Sequence, residues 1–232
     1  MRKFGMIGGF GPESTLEYYR LIMEVYRQEI DSSSYPEIII NSMDIHKLFK
    51  MVEHEQWHEL VRWLIDGISN LHMSGAEFGF ISANTPHIVF DLVQELSPIP
   101  LISIVEETCK KTSSLDINKV ALLGTRFTMK SNFYQDVFDK QGINIVVPNE
   151  KEQEYIHRKL MNEIELGVFL DDTRSGLLSI VQRLLDTNDI EGVILGCTEL
   201  PLILTQDYFE IPFINTTKVH VESIIRYCSR EV

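Results

Sequence analysis

Cysteine is scarce in this chain of 232 residues: three, at Cys109, Cys197 and Cys228, with no CxxC pair and no even framework. That pattern gives no disulfide scaffold and fits a reducing, cytoplasmic setting. Long apolar runs are absent too. No stretch approaches the ~20 residues a membrane span needs. Basic residues are in the minority, 21 Lys and Arg against 34 Asp and Glu, for a formal charge of -13. Such a balance argues against nucleic acid or an anionic membrane as a partner. It leaves a small anion open, because a local pocket can differ in sign from the whole. Met1-Arg2-Lys3 leads straight into a strand pattern ending Gly8-Gly9, not into an apolar leader, so no signal peptide is expected. What remains, 44% hydrophobic and 24% charged, is ordinary for a globular protein.

What the chain does contain is one strand-loop unit written twice. Phe4-Gly5-Met6-Ile7-Gly8 recurs as Val120-Ala121-Leu122-Leu123-Gly124, and Phe80-Ile81-Ser82-Ala83-Asn84-Thr85 recurs as Ile194-Leu195-Gly196-Cys197-Thr198-Glu199. Ile99-Pro100-Leu101-Ile102 recurs as Ile211-Pro212-Phe213-Ile214, so the copies run nearly in step. Short runs rich in Ile, Val and Phe predict strands at 3–8, 37–42, 78–82, 100–104, 118–124, 143–147, 191–196 and 211–215. Helical patterns lie between most of them. Leu16, Tyr19, Met23 and Tyr26 share one face of a helix opened by Pro12; Trp57, Leu60, Val61, Leu64 and Ile68 share one face of another. Regular alternation predicts an α/β fold with mostly parallel sheets. The repeat predicts two similar α/β halves related by pseudo-twofold symmetry: 1–104 plus the last helix, 216–232, and 105–215. No low-complexity linker separates them, so a site between the halves is expected.

Each buried run ends in small polar residues, the place where a parallel strand delivers a site. At those ends the copies differ: one offers the thiol of Cys197, the other only the methyl of Ala83. Asn84, Thr85 and Thr198 offer amide and hydroxyl groups for a carboxylate. A thiol between a strand and a helix start has its thiolate favoured by the helix amides, whereas Glu199 beside it opposes ionisation. His87, one turn beyond Ala83, reads better as a structural histidine than as a proton carrier. Cys109 and Cys228 sit inside helical patterns, where a small buried role is expected.

Three further motifs weigh differently. Gly8-Gly9-Phe10-Gly11-Pro12 is a glycine turn before a helix, suited to close approach of a substrate carboxylate. The dinucleotide pattern fails at Ser14, so a nicotinamide partner, with Asp44 on its ribose, ranks below that reading. His54-Glu55-Gln56-Trp57-His58 matches H-E-x-x-H, the signature of a zinc helix. Glu53 and Glu59 flank it and Trp57 falls on a core stripe, so a solvated helix face is the better reading and no metal is expected. Gly124-Thr125-Arg126-Phe127-Thr128 offers hydroxyls and amides for an anionic group with Arg126 as counter-charge, or simply a capped helix with Thr128 as N-cap of 129–140.

Four motifs together resemble the aspartate/glutamate racemase superfamily, closest to its aspartate/glutamate racemase branch. They are Ile7-Gly8-Gly9-Phe10-Gly11-Pro12, Asn84-Thr85-x-His87, Leu123-Gly124-Thr125 and Gly196-Cys197-Thr198-Glu199. The resemblance spans essentially the whole chain. It implies an amino-acid racemase without pyridoxal phosphate or any other cofactor, a small dicarboxylic or amino-acid substrate, and a homodimer. It further implies that cysteines on two faces move the α-proton. Carried over residue by residue, Cys197 matches the second catalytic cysteine and Ala83 occupies the position of the first. Phe10, Asn84, Thr85, Thr125, Thr128, Thr198 and Glu199 match substrate-binding positions. One more departure stands near Gly167: many aspartate racemases carry a basic residue shortly before that glycine, and here Glu165 appears. The resemblance therefore predicts a racemase working through Cys197, lopsided because Ala83 neither takes nor gives a proton. A one-thiol decarboxylase or lyase of the same superfamily and a non-catalytic diacid-binding protein are the alternatives.

Overall fold

The computed structural model describes residues 1–30 and 33–229. The chain divides into two compact units, Met1–Ile104 with Thr217–Val232, and Val105–Thr216. In the first, β1 (Phe4–Gly8) leads to α1 (Pro12–Glu29), β2 (Ile38–Ser42), α2 (Ile45–Glu53) and α3 (Trp57–Met73). Then come β3 (Phe78–Ile81), a 3-10 turn over Thr85–Val89, α4 (Phe90–Leu96) and β4 (Leu101–Ile102). Its strands lie side by side in the order β2-β1-β3-β4, every pair parallel.

The second unit follows α5 (Ile104–Ser113) with β5 (Lys119–Gly124), α6 (Arg126–Lys130), α7 (Phe133–Phe138) and β6 (Asn144–Val146). It continues with α8 (Glu150–Asn162), α9 (Asp171–Asn188), β7 (Gly192–Gly196), α10 (Leu200–Ile203) and β8 (Phe213–Asn215). Its order, β6-β5-β7-β8, is again all parallel. The fold is thus two α/β halves, each built on a four-stranded parallel sheet. The last helix, α11 (Thr216–Ser229), buries Val221, Ile224, Ile225 and Cys228 against Phe4, Met6, Tyr18 and Phe78 of the first unit.

Parallel strands buried on both faces need unbroken apolar runs, which is what β1, β3 and β7 supply: every residue in them is buried. Each large side chain so removed from water contributes roughly 1.5–3 kcal/mol before chain entropy is set against it. The expected α3 stripe holds at Leu60, Val61, Leu64 and Ile68, which are buried, whereas Trp57 at the helix start is only half-buried. The α1 stripe does not. Leu16 and Tyr19 are 64% and 46% exposed, while Tyr18, Leu21, Ile22 and Val25 form the buried face with Tyr26. A periodic reading tolerates either face when both carry apolar residues, and the polar partner of Tyr18 decides here. Its hydroxyl donates to His220 Nδ1 at 2.8 Å, and His220 Nε2–H donates to the Ile102 carbonyl at 2.9 Å. Both groups are fully buried yet satisfied.

The turn after β1 depends on glycine. Gly9 has φ +84, and a Cβ there would stand 2.1 Å from the Met43 carbonyl oxygen. Gly142, with φ +73, has nothing within 4 Å of an added Cβ. Left-handed backbone alone costs roughly 1–2 kcal/mol for a side-chain-bearing residue. Gly142→Ala therefore loses about that much, and Gly9→Ala, which adds a backbone collision, loses clearly more; urea-unfolding midpoints of the two variants check the order.

Candidate active site

Register places the two key loops of the second unit together. Gly124 at the end of β5 pairs with Gly196 at the end of β7, so Thr125 and Cys197 leave the sheet side by side at its carboxyl edge. Thr125 starts α6: its Oγ1 accepts from the Thr128 amide at 3.2 Å and lies 3.1 Å from Thr128 Oγ1. The expectation of Thr128 as N-cap of a helix over 129–140 is therefore corrected. Thr125 is the cap, because its β-region backbone precedes the first turn and its side-chain oxygen accepts from the Thr128 amide. The helix also breaks at Ser131 before α7. Arg126 pairs with exposed Glu154 at 3.6 Å.

Cys197 is 6% exposed and packs into the core of its unit beside Leu195 and Leu200. Its Sγ–H donates to Glu199 Oε2 at 3.0 Å, and the Thr198 hydroxyl donates to the same oxygen at 2.9 Å. Glu165, in the 3-10 turn Ile164–Leu166 ahead of Gly167, brings a second carboxylate to the thiol. Ligand atoms of Glu165, Cys197 and Glu199 all lie within 4.8 Å of one another. Three such donors can converge on a cation, but here the thiol keeps its proton and bonds Glu199, and no imidazole is part of the group.

This arrangement reverses one expectation. Burial first, then the charges of Glu199 and Glu165, push the Cys197 thiol well above its ordinary value of 9.0. The Glu199 backbone amide at the N-cap of α10 pulls the other way but is outweighed, α10 being only one turn long. The same physics acts on Glu165: burial and Glu199 raise it from 4.5 to about 8. At rest Cys197 is a thiol, an acid rather than a preformed base.

In the first unit, Ala83 is buried at the end of β3, followed by buried Asn84 and Thr85. His87 lies within the 3-10 turn, donates from Nδ1 to the Ala83 carbonyl at 3.0 Å, and stacks on Phe90 with ring centroids 4.7 Å apart. That bond fixes the tautomer and leaves Nε2, buried without a partner among the described residues, as an acceptor. Burial drops His87 to about 3, so it is neutral and structural at ordinary pH. Phe10 is buried with its ring 5.8 Å from that of Trp63. The glycine turn is committed internally: the Gly9 amide donates to Thr15 Oγ1 at 2.9 Å, and that hydroxyl donates to the Gly11 carbonyl at 3.2 Å.

Other candidates resolve against chemistry. Asp44 caps α2, accepting from the His46 amide at 2.8 Å. His54 ends α2, Glu55 has φ +53, and His58 is inside α3, so the H-E-x-x-H spacing straddles a helix break and the imidazoles do not share one helical turn. Glu165 is the residue that sequence reasoning left out of its site. Its only signal was the departure from a basic residue before Gly167.

The model of the Asp/Glu/Hydantoin racemase family matches residues 7–224. The chain belongs to that family. A broad specificity amino-acid racemase, RacX, from Bacillus subtilis (strain 168) is 26% identical over 226 residues, 95% of this chain and 96% of that protein. An aspartate racemase homologue from Pyrococcus horikoshii OT3 is 35% identical, covers 99% of this chain and 100% of its own, and superposes with a TM-score of 0.87. Glutamate racemase from Francisella tularensis subsp. tularensis SCHU S4, solved with D-glutamate, shares the fold at 16% identity, with 97% of this chain and 80% of that chain covered and a TM-score of 0.67. Among the described residues of this family member no helix is long and apolar enough to cross a membrane.

The acidic surroundings of Cys197 make a direct prediction. Glu199→Gln removes a neighbouring charge and leaves at most a weaker, neutral amide acceptor for the thiol proton, lowering the thiol pKa. Alkylation of Cys197 at pH 9.0, followed by peptide mass spectrometry, then runs at least about tenfold faster than in the parent protein, a tenfold gain corresponding to one unit of pKa.

Proposed function

We propose that this racemase-family protein interconverts amino-acid enantiomers without pyridoxal phosphate, with Cys197 as the thiol acid/base. The observation that carries the reading is the Cys197 Sγ–H held by Glu199 at the carboxyl end of β7, a reactive group placed where parallel sheets display them. As acid, Cys197 passes its Sγ proton to the α-carbanion, and the sulfur keeps the electron pair as thiolate. As base, the thiolate takes the α-proton, the C–H electron pair spreads into the α-carboxylate, and the thiol is restored. A buried thiol flanked by carboxylates is a better acid than base at rest. The positive α-ammonium of a substrate offsets those carboxylates and brings the thiolate within reach.

The other face of the substrate is served unequally. Ala83 stands where the superfamily resemblance expects a second cysteine, and a methyl group moves no proton, so water takes that part. Exchange at the α-carbon is therefore faster for one enantiomer than for the other. Phe10, Asn84, Thr85, Thr125, Thr128 and Thr198 belong to the same proposal as substrate-binding groups, with Glu199 positioning the thiol. A homodimer in the cytoplasm is part of it as well; the exposed apolar residues Leu166, Phe169 and Leu170 are surface a second copy can cover. The position of Ala83 also favours a second reading. A one-thiol site suits a decarboxylase, which needs a proton donor on a single face.

The test is loss of the α-proton signal of pure L- and D-amino acids in deuterated water, followed by proton NMR. The proposal expects exchange that Cys197→Ala abolishes to background, a loss of at least about a hundredfold for an acid/base group. Ala83→Cys brings the two enantiomers' rates closer together. Carbon dioxide release from substituted malonates without amino-acid exchange moves the assignment to the decarboxylase.

A further inference from the structure

The cluster around Cys197 carries information about the substrate as well as the reaction. Glu199 already accepts two hydrogen bonds, from Cys197 and Thr198. Glu165 makes no hydrogen bond or ion pair among the described residues, although it is half-buried. Three basic side chains of the same unit are engaged elsewhere. Lys159 pairs with Glu163, Arg126 with Glu154, and Arg174 with Asp171 while its Nε–H donates to the Ile203 carbonyl. The electrostatic influences on Glu165 are burial and another carboxylate, with no cation among them.

Two carboxylates beside one thiol are an incomplete arrangement. Every amino acid brings one positive charge, its α-ammonium, which balances one carboxylate of the pair, while its own α-carboxylate goes to the amide and hydroxyl groups of the proposed substrate site. An aspartate or glutamate substrate would add a further negative charge to the group, and like charges set close together select strongly against a ligand. A second positive charge on the ligand completes the set. Resting on the racemase reading of Cys197, we propose that Glu165 is the specificity-determining residue of this site and selects amino acids with a cationic side chain, a primary amine or a guanidinium, over dicarboxylic ones. Burial and the neighbouring Glu199 raise Glu165 to about 8, so it is protonated much of the time at neutral pH, and an entering ammonium group displaces that proton. A basic residue at this position would invert the preference toward a side-chain carboxylate.

The deciding experiment measures kcat/KM for α-proton exchange on lysine, ornithine and arginine, on norleucine as a neutral analogue of lysine, and on aspartate and glutamate. The basic amino acids are expected to exceed aspartate and glutamate by about a hundredfold and norleucine by about tenfold. Glu165→Gln, close in shape, is expected to cut the lysine-to-norleucine ratio about tenfold, chiefly through KM for lysine. Residual norleucine exchange in the variant reports that the fold and the thiol are intact. Exchange that favours aspartate or glutamate, or treats lysine and norleucine alike, overturns the substrate class and leaves the racemase reading standing. A ratio that Glu165→Gln leaves unchanged overturns the role of Glu165. Absence of exchange across the whole panel overturns the racemase reading and this inference with it.

Discussion

The hydrogen bond from Cys197 Sγ to Glu199 organises the candidate site of this protein. It holds the sulfur in place, keeps it protonated, and ties the neighbouring Thr198 hydroxyl to the same oxygen. None of this is local to three residues. The strand end that presents Cys197 is fixed by pairing of Gly124 with Gly196, and the floor beneath it is the apolar core holding Leu195, Leu200 and Leu177. A low-polarity floor strengthens every charge effect above it. The thiol and the two acids therefore form one coupled group, in which a change of protonation at any member is felt by the others.

That coupling shifts the usual picture of a reactive cysteine. Helix starts and cationic neighbours favour a thiolate, and neither acts strongly on Cys197. In the proposed reaction such a sulfur starts as a proton donor and becomes a base only when positive charge enters. On that proposal substrate charge and turnover are linked: a cation that balanced Glu165 and Glu199 would also offset the charges that hold the Cys197 thiol high.

Much of the architecture was legible in the chain before any coordinates. All eight strands fall inside the expected runs, because buried parallel strands require continuous Ile, Val, Leu and Phe and leave little else to read. The face of α1 was not legible: Leu16 and Tyr18 both suit a core, and the choice is made by the buried His220 partner, distant in sequence. The Thr125 cap was missed for a similar reason, since Thr125 and Thr128 both satisfy a capping rule and only the actual start of the turn decides. H-E-x-x-H looked like one helix and proved to be two, divided at Glu55 by a left-handed residue that no periodicity reports. The place of Cys197 directly after a strand was readable from the apolar run that precedes it. Glu165 was not, because a side chain arriving from a turn some thirty residues earlier leaves no trace in local pattern.

The protonation state of Cys197 tests the account most directly. With Cys109 and Cys228 replaced by serine, the infrared S–H stretch belongs to Cys197 alone, and it can be followed from neutral pH upward in the ligand-free protein. A band present at neutral pH and surviving beyond 9.0, the ordinary thiol value, is the predicted result. A band already missing at neutral pH would mean a resting thiolate, and would contradict a sulfur held as an acid between two carboxylates.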